Sequence, residues 1–114
     1  MLEKVKMAVR ALDEKKGEDI CVIDIKEQTV ITDYFIIVTG HSPSHIQALV
    51  ENVTEALEKN GLPLLQSEGK AAGNWILLDF NDIIIHVFQK EDREFYDLER
   101  LWRDGTFLDV NSLL

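Results

Sequence analysis

His86 and Asp79 carry the side-chain types of an acid–base couple, an imidazole and a carboxylate. They belong to two apolar, β-branched runs, Trp75–Phe80 and Ile83–Phe88, separated by Asn81-Asp82. Asn and Asp tolerate the positive φ angles of a two-residue hairpin turn. Such a turn sets His86 opposite Leu77, with Asp79 one pair further along the same face. No serine or cysteine nucleophile stands beside them. A second candidate is Gly40-His41-Ser42, between an apolar strand and a helix, where a glycine and a serine at a helix N-terminus can hold a phosphate. Phosphate chemistry also needs two or three carboxylates converging on magnesium. The D-x-D or D-x-E pair that would supply them on the next strand is absent. Glu68 stands alone, Asp79 and Asp82 belong to the later hairpin, and Lys70 by itself is not a phosphate cradle. Ser42 therefore reads as a helix cap. Cys21, the single cysteine, lies in an apolar run and reads as a buried small hydrophobe. The cysteine and three histidines are not expected to form a metal site, and no cofactor is expected.

The hairpin dictates two unlike faces. Phe80 faces Ile83, Leu78 faces Ile85 and Ile76 faces Val87, giving a wholly apolar side that belongs in the core. The other side carries Trp75, Leu77, Asp79, Ile84, His86 and Phe88 and is the candidate binding face. Trp75 reads either as a core aromatic or as an interface anchor, and His86 either as a hydrogen-bonded structural residue or as a pH-sensitive contact. A helix follows. Asp92 is its expected N-cap, Phe95, Leu98, Leu101 and Trp102 form its apolar stripe, and Glu99–Arg103 is an outward i,i+4 pair. Arg93, Tyr96 and Glu99 flank the stripe, as a solvated face or a recognition surface. Gly105 can end the helix.

The rest of the chain must hold this hairpin. Leu2, Val5, Val9 and Leu12 mark one face of a first helix that Gly17 is placed to close. Ile20–Ile25 and Tyr34–Thr39 are buried strands. Ser42 caps, and Pro43 starts, a helix with Ile46, Leu49, Val50, Val53, Ala56 and Leu57 inside, ended by Asn60-Gly61. Leu64–Gln66 is a short edge strand, Gly69–Gly73 a small-residue loop, and Phe107–Leu114 a mildly apolar tail able to pack on the body or on a partner. The order α-β-β-α-β-β-β-α gives an α/β (α+β) fold, a mixed sheet of about five strands with helices packed on it.

With 114 residues, a single domain spanning 1–114 is expected. There are 12 basic and 21 acidic residues, a net charge of −9. That opposes binding nucleic acid through its phosphates and suits a basic protein partner, though acidity serves solubility as well. No run is long enough for a membrane span, and Met1-Leu2-Glu3-Lys4 does not open a signal peptide, so a cytoplasmic location is expected. The apolar tail and sheet favour a homodimer.

The order W…LD-x-x-D-x-x-x-H-x-F, then R-x-[FY]-Y-x-LE-x-LW, is carried by Trp75, Leu78, Asp79, Asp82, His86, Phe88, Arg93, Tyr96, Leu98, Glu99, Leu101 and Trp102. It resembles the ribosomal silencing factor family, also called RsfS or Iojap-like proteins. Asp33-Tyr34-Phe35, Thr39-Gly40-x-Ser42 and Glu68-Gly69 extend the resemblance over about Ile20 to Trp102. It implies a fold similar to nucleotidyltransferases without their catalytic carboxylates. It also implies a non-enzymatic factor that binds the large ribosomal subunit through its fourteenth protein. Bound there, such factors block joining of the small subunit and lower translation when nutrients are scarce. Trp75, Leu77, Asp79 and His86, then Tyr96 and Glu99, are the implied partner contacts or their supports. The competing readings are a nucleotide-binding or nucleotidyl-transferring enzyme and a dimeric scaffold unrelated to ribosomes.

Overall fold

The computed structural model describes residues 1–70 and 74–114. Residues 71–73 of the expected glycine loop lie outside the described residues. Helix α1 (Leu2–Glu14) buries Val5, Ala8, Val9, Ala11 and Leu12 as its spacing requires. The left-handed residue after it is Lys16, at φ 61°, and not Gly17. Gly17 answers a different need, since a Cβ there would lie 2.7 Å from Val38 Cγ2. Strands β1 (Glu18–Asp24) and β2 (Tyr34–Thr39) follow, then helix α2 (Pro43–Lys59). Ser42 caps α2 as expected, its hydroxyl accepting from the His45 N–H at 3.1 Å. Gly61, at φ 84°, ends it.

The remaining strands are β3 (Gln66–Glu68), β4 (Trp75–Asp79), β5 (Ile83–Phe88) and β6 (Thr106–Phe107). All six form one sheet in the order β3-β4-β5-β2-β1-β6. The central pair β2/β5 is parallel and every other pair is antiparallel. The hairpin register is the expected one: Ile76 opposes Val87, Leu77 opposes His86 and Leu78 opposes Ile85. Asn81, at φ 75°, supplies the positive angle of the turn.

Period-2 alternation sorts the strands onto two faces. Val22, Ile36, Val38, Ile76, Leu78, Phe80, Ile83, Ile85 and Val87 pack with the buried stripes of α1 and α2. Ile23, Ile25, Phe35, Ile37, Ile84 and Phe88 form a second, smaller cluster on the other side with Leu98, and Trp75, Leu77 and Trp102 pack against it half-buried.

That second face departs from the sequence expectation. The edge strand is Gln66–Glu68, because Leu62 and Leu64 pack into the first core and do not join the sheet. The single helix expected after the hairpin is two short ones, α3 (Lys90–Tyr96) and α4 (Leu98–Leu101), broken at Asp97 with φ 48°. Asp92 is not the N-cap. Gln89 holds that position, and Asp92 sits in the first turn, where a carboxylate still suits the helix dipole. The break shifts the helical phase. Leu98 turns onto the sheet, whereas Phe95 and Leu101 are 80% and 72% exposed. The tail packs on the body: β6 pairs with β1, Leu113 is buried, and Leu108 and Val110 rest on the first core. Gly105 sits close under β1, where a Cβ would meet Ile23 Cγ2 at 2.6 Å. Among the described residues no helix is long and apolar enough to cross a membrane.

Candidate functional site

The mixed face of the hairpin becomes an aromatic ledge. β4 and β5 present Trp75, Leu77, His86 and Phe88 to one side, and α3 lays Tyr96 over them. Trp75 stacks on Phe88 at 4.8 Å between ring centroids and meets Tyr96 at 4.6 Å. Phe95 stands edge-on to Tyr96 at 5.1 Å and projects outward. Trp75 is thus half-buried, with one flank in the second core and the rest at the surface.

His86 lies beneath this ledge, 4% exposed. Its Nδ1 accepts from the Trp75 indole N–H at 3.2 Å. Burial pushes its pKa from 6.5 to about 4, so the ring is neutral near neutral pH. A neutral imidazole accepting at Nδ1 carries its proton on Nε2. That nitrogen is buried and has no hydrogen-bond partner, and the Phe35 ring packs edge-to-face against the imidazole at 4.9 Å. His86 orients Trp75.

Asp79 does not join it. The Asp79 Oδ1 accepts from the Asn81 N–H at 2.8 Å, closing the hairpin turn. His86 and Asp79 therefore make no acid–base couple. Among the described residues, Glu68, Asp79 and Asp82 do not gather into a cation-binding group. The Ser42 hydroxyl is engaged in capping.

Glu99 is the largest correction. The sequence favoured an outward pair with Arg103, but α4 ends at Leu101 and the break at Asp97 turns Glu99 inward to Arg93. Arg93 Nε and Nη2 donate to Glu99 Oε2 at 3.1 and 3.0 Å, and Nη1 donates to Thr39 Oγ1 at 2.9 Å. Arg93 so fastens both short helices to the end of β2. The Cys21 thiol is pushed up to about 11 by burial and then by the Glu99 charge, which makes it unreactive.

Two hollows flank the ledge. One, about 570 Å³, is lined from α3 and α4 by Phe95, Tyr96 and Leu101 together with the charged Glu94, Asp97, Arg100, Arg103 and Asp104. The other, about 250 Å³, is bounded by Glu68, Gly69, Trp75 and Leu77. Phe95 and Leu101 belong to this surface although their spacing assigned them to the core. The one sequence signal for that is Asp97, a residue that tolerates the left-handed conformation. Of the six expected site residues, Trp75, Leu77 and Tyr96 reach the surface together, His86 and Glu99 support it from inside, and Asp79 closes the hairpin at the far end of β4.

The family model for "Ribosomal silencing factor during starvation", RsfS, matches residues 1–113. The chain belongs to the ribosomal silencing factor family. The silencing factor RsfS of Bacillus subtilis (strain 168) is 35% identical over 107 residues, covering 94% of this chain and 91% of that protein. A mouse relative named "Mitochondrial assembly of ribosomal large subunit protein 1" is 36% identical over 108 residues, covering 92% of this chain and 47% of its own. The crystal structure of a Chromobacterium violaceum protein superposes with a TM-score of 0.84 at 36% identity, covering 88% of this chain and 83% of that one. The structure this family member presents at the hairpin is an aromatic ledge of Trp75, Tyr96 and Phe95, braced from beneath by His86 and by the Arg93–Glu99 pair.

Proposed function

We propose that this chain silences ribosomes by covering a docking surface on the large subunit, through its fourteenth protein, so that the small subunit does not join. The observation that carries the reading is the aromatic ledge of half-buried Trp75 and exposed Tyr96 and Phe95 on a sheet face that two short helices leave partly open. Tyr and Trp are favoured anchors because they bring large, rigid contact area with a directional donor. Trp75, Leu77 and Tyr96 make the contact. His86 and Glu99 hold it in shape, and Asp79 fixes the hairpin that presents it. The net charge of −9 favours a basic protein over ribosomal RNA phosphates and speeds encounter with it. The mouse relative's name, which concerns assembly of the large subunit, agrees with that choice of subunit. The domain 1–114 acts in the cytoplasm as a translational repressor without a cofactor, and it is a homodimer when free, using exposed apolar residues such as Phe107.

The test is a titration of the chain into purified subunits at fixed concentration, with and without nucleotide, read by sedimentation. Steric block predicts inhibition of joining that saturates near one copy per large subunit and needs no nucleotide. Preformed ribosomes resist it, because the small subunit already covers the site. Full inhibition at a small fraction of one equivalent, or strict dependence on nucleotide and magnesium, overturns this reading in favour of a nucleotidyl-transferring enzyme.

A further inference from the structure

His41 and His45 are four residues apart, an H-x-x-x-H spacing of paired metal ligands, against the expectation that the histidines form no metal site. They meet at the start of α2, with ring centroids 4.1 Å apart. Glu18, from the first position of β1, approaches them, its Oε1 3.8 Å from His41 Nδ1. The ligand-capable atoms of Glu18, His41 and His45 all lie within 4.8 Å of one another.

The hydrogen bonds of His45 are those of a prepared metal ligand. One ring nitrogen, Nε2, is 2.7 Å from the Lys15 carbonyl oxygen, and a carbonyl can only accept. His45 therefore carries its proton on Nε2 and keeps a lone pair on Nδ1. An imidazole that donates its second nitrogen to a backbone carbonyl is the usual outer-shell support of a metal-bound histidine. Nδ1 now accepts from the His41 amide N–H at 3.0 Å, at an exposed site where water can replace it as that amide's partner. The other two ligands are exposed arms, with side chains 69% exposed for His41 and 52% for Glu18. Tetrahedral zinc holds N and O donors at about 2.0–2.2 Å, so the three ligand atoms must draw closer together, and the two exposed arms are the ones with room to turn.

The location favours a cation on balance. The positive end of α2 opposes one. Against it stand the Glu18 charge and a cleft of about 310 Å³ that Glu18, Asp19, His41 and Glu91 line, with Lys90 as its one cation. The cleft lies at the carboxyl ends of β2 and β5, the parallel pair, where open α/β sheets commonly bind their ligands.

We infer that Glu18, His41 and His45 form a zinc site that ties the start of β1 to the start of α2, with solvent in the fourth position. Two imidazoles and a carboxylate with one open position match zinc better than calcium or magnesium, which prefer all-oxygen shells. The site lies at the same end of the sheet as the aromatic ledge but on β1, two strands from β5, and its test needs no ribosome. Untagged full-length chain is titrated with Zn²⁺ alone by calorimetry near neutral pH, and its melting is followed with and without Zn²⁺. The expected result is one saturable Zn²⁺ per chain and a zinc-dependent rise in melting temperature, since a ligand of the native state stabilises it. His41→Ala and Glu18→Gln alter exposed side chains and leave the metal-free melting temperature unchanged. Each is expected to weaken Zn²⁺ by about tenfold or more, the scale of losing even an outer-shell partner. No saturable binding to the parent chain, or His41→Ala binding Zn²⁺ as the parent does, overturns the site.

Discussion

The two faces of the sheet are made from the same strands and have opposite fates. Under α1 and α2 the strand residues are closed over from β4 to β1, and Phe80, Ile83, Ile85 and Val87 are almost wholly dry. Under α3 and α4 the cover is two helices of seven and four residues, too short to reach across. There the sheet keeps a half-buried tryptophan, a neutral buried histidine and an inward ion pair. Among the described residues, the buried cluster of the closed face contains no ionisable group except the Tyr34 phenol, whereas the open face carries His86, Glu99 and Arg93. One face is spent on stability. The other is less completely buried and keeps a shaped surface.

Four changes break or sharpen this contrast. Phe80→Ala, in the middle of the closed face, is expected to cost about 3–5 kcal/mol and to lower the melting temperature by on the order of 15 °C. Calorimetric or circular-dichroism melts measure it, and a loss near zero would mean that this face is not a packed core.

The next effect belongs to the open face alone. His86 titrates near 6.5 when unfolded and near 4 in the fold. Its folded pKa is depressed, so as pH falls the unfolded chain takes up the proton first. The stability that neutral His86 contributes is present above about pH 6.5 and is lost as pH drops toward 4. The gap corresponds to on the order of 3 kcal/mol. Urea unfolding across this window should show the parent losing stability more steeply than His86→Asn, with the difference between the two curves isolating His86 from the carboxylates. Parallel curves would show that His86 titrates as it does in water.

Trp75→Ala tests function against structure. Loss of about 2 kcal/mol or more of large-subunit affinity is expected, roughly thirtyfold, from a binding titration. Its melting temperature should fall less than that of Phe80→Ala, because Trp75 is half-buried. Normal binding, or a melt as early as that of Phe80→Ala, would move Trp75 to the core. The smallest effect is expected at Phe95→Ser, which should leave stability within about 0.5 kcal/mol while weakening binding by about 1 kcal/mol. A clear drop in stability would show that α3 depends on Phe95 for packing.

Much of this was legible in the sequence because it depends on local spacing. The hairpin register follows from a two-residue turn and from alternation, and it placed Leu77 opposite His86 and all six core residues on one side. Helix α2 follows from its cap, its proline and an uninterrupted apolar period. The ordered set from Trp75 to Trp102 carried the family. The break at Asp97 was not legible. A period of 3.6 runs through Phe95, Leu98, Leu101 and Trp102 whether or not one residue between them turns left-handed, and the broken form is the one in which Arg93 holds Glu99 and Thr39 together, a contact between distant residues. The tail was open for the same reason, since Leu113 becomes core only once β6 has paired with β1. Sequence determined which residues alternate, cap and turn, because those properties reside in neighbours along the chain. Tertiary structure alone decided how far each face is covered, because that depends on which distant groups meet, and so it decided that Trp75, Tyr96 and Phe95 form one surface.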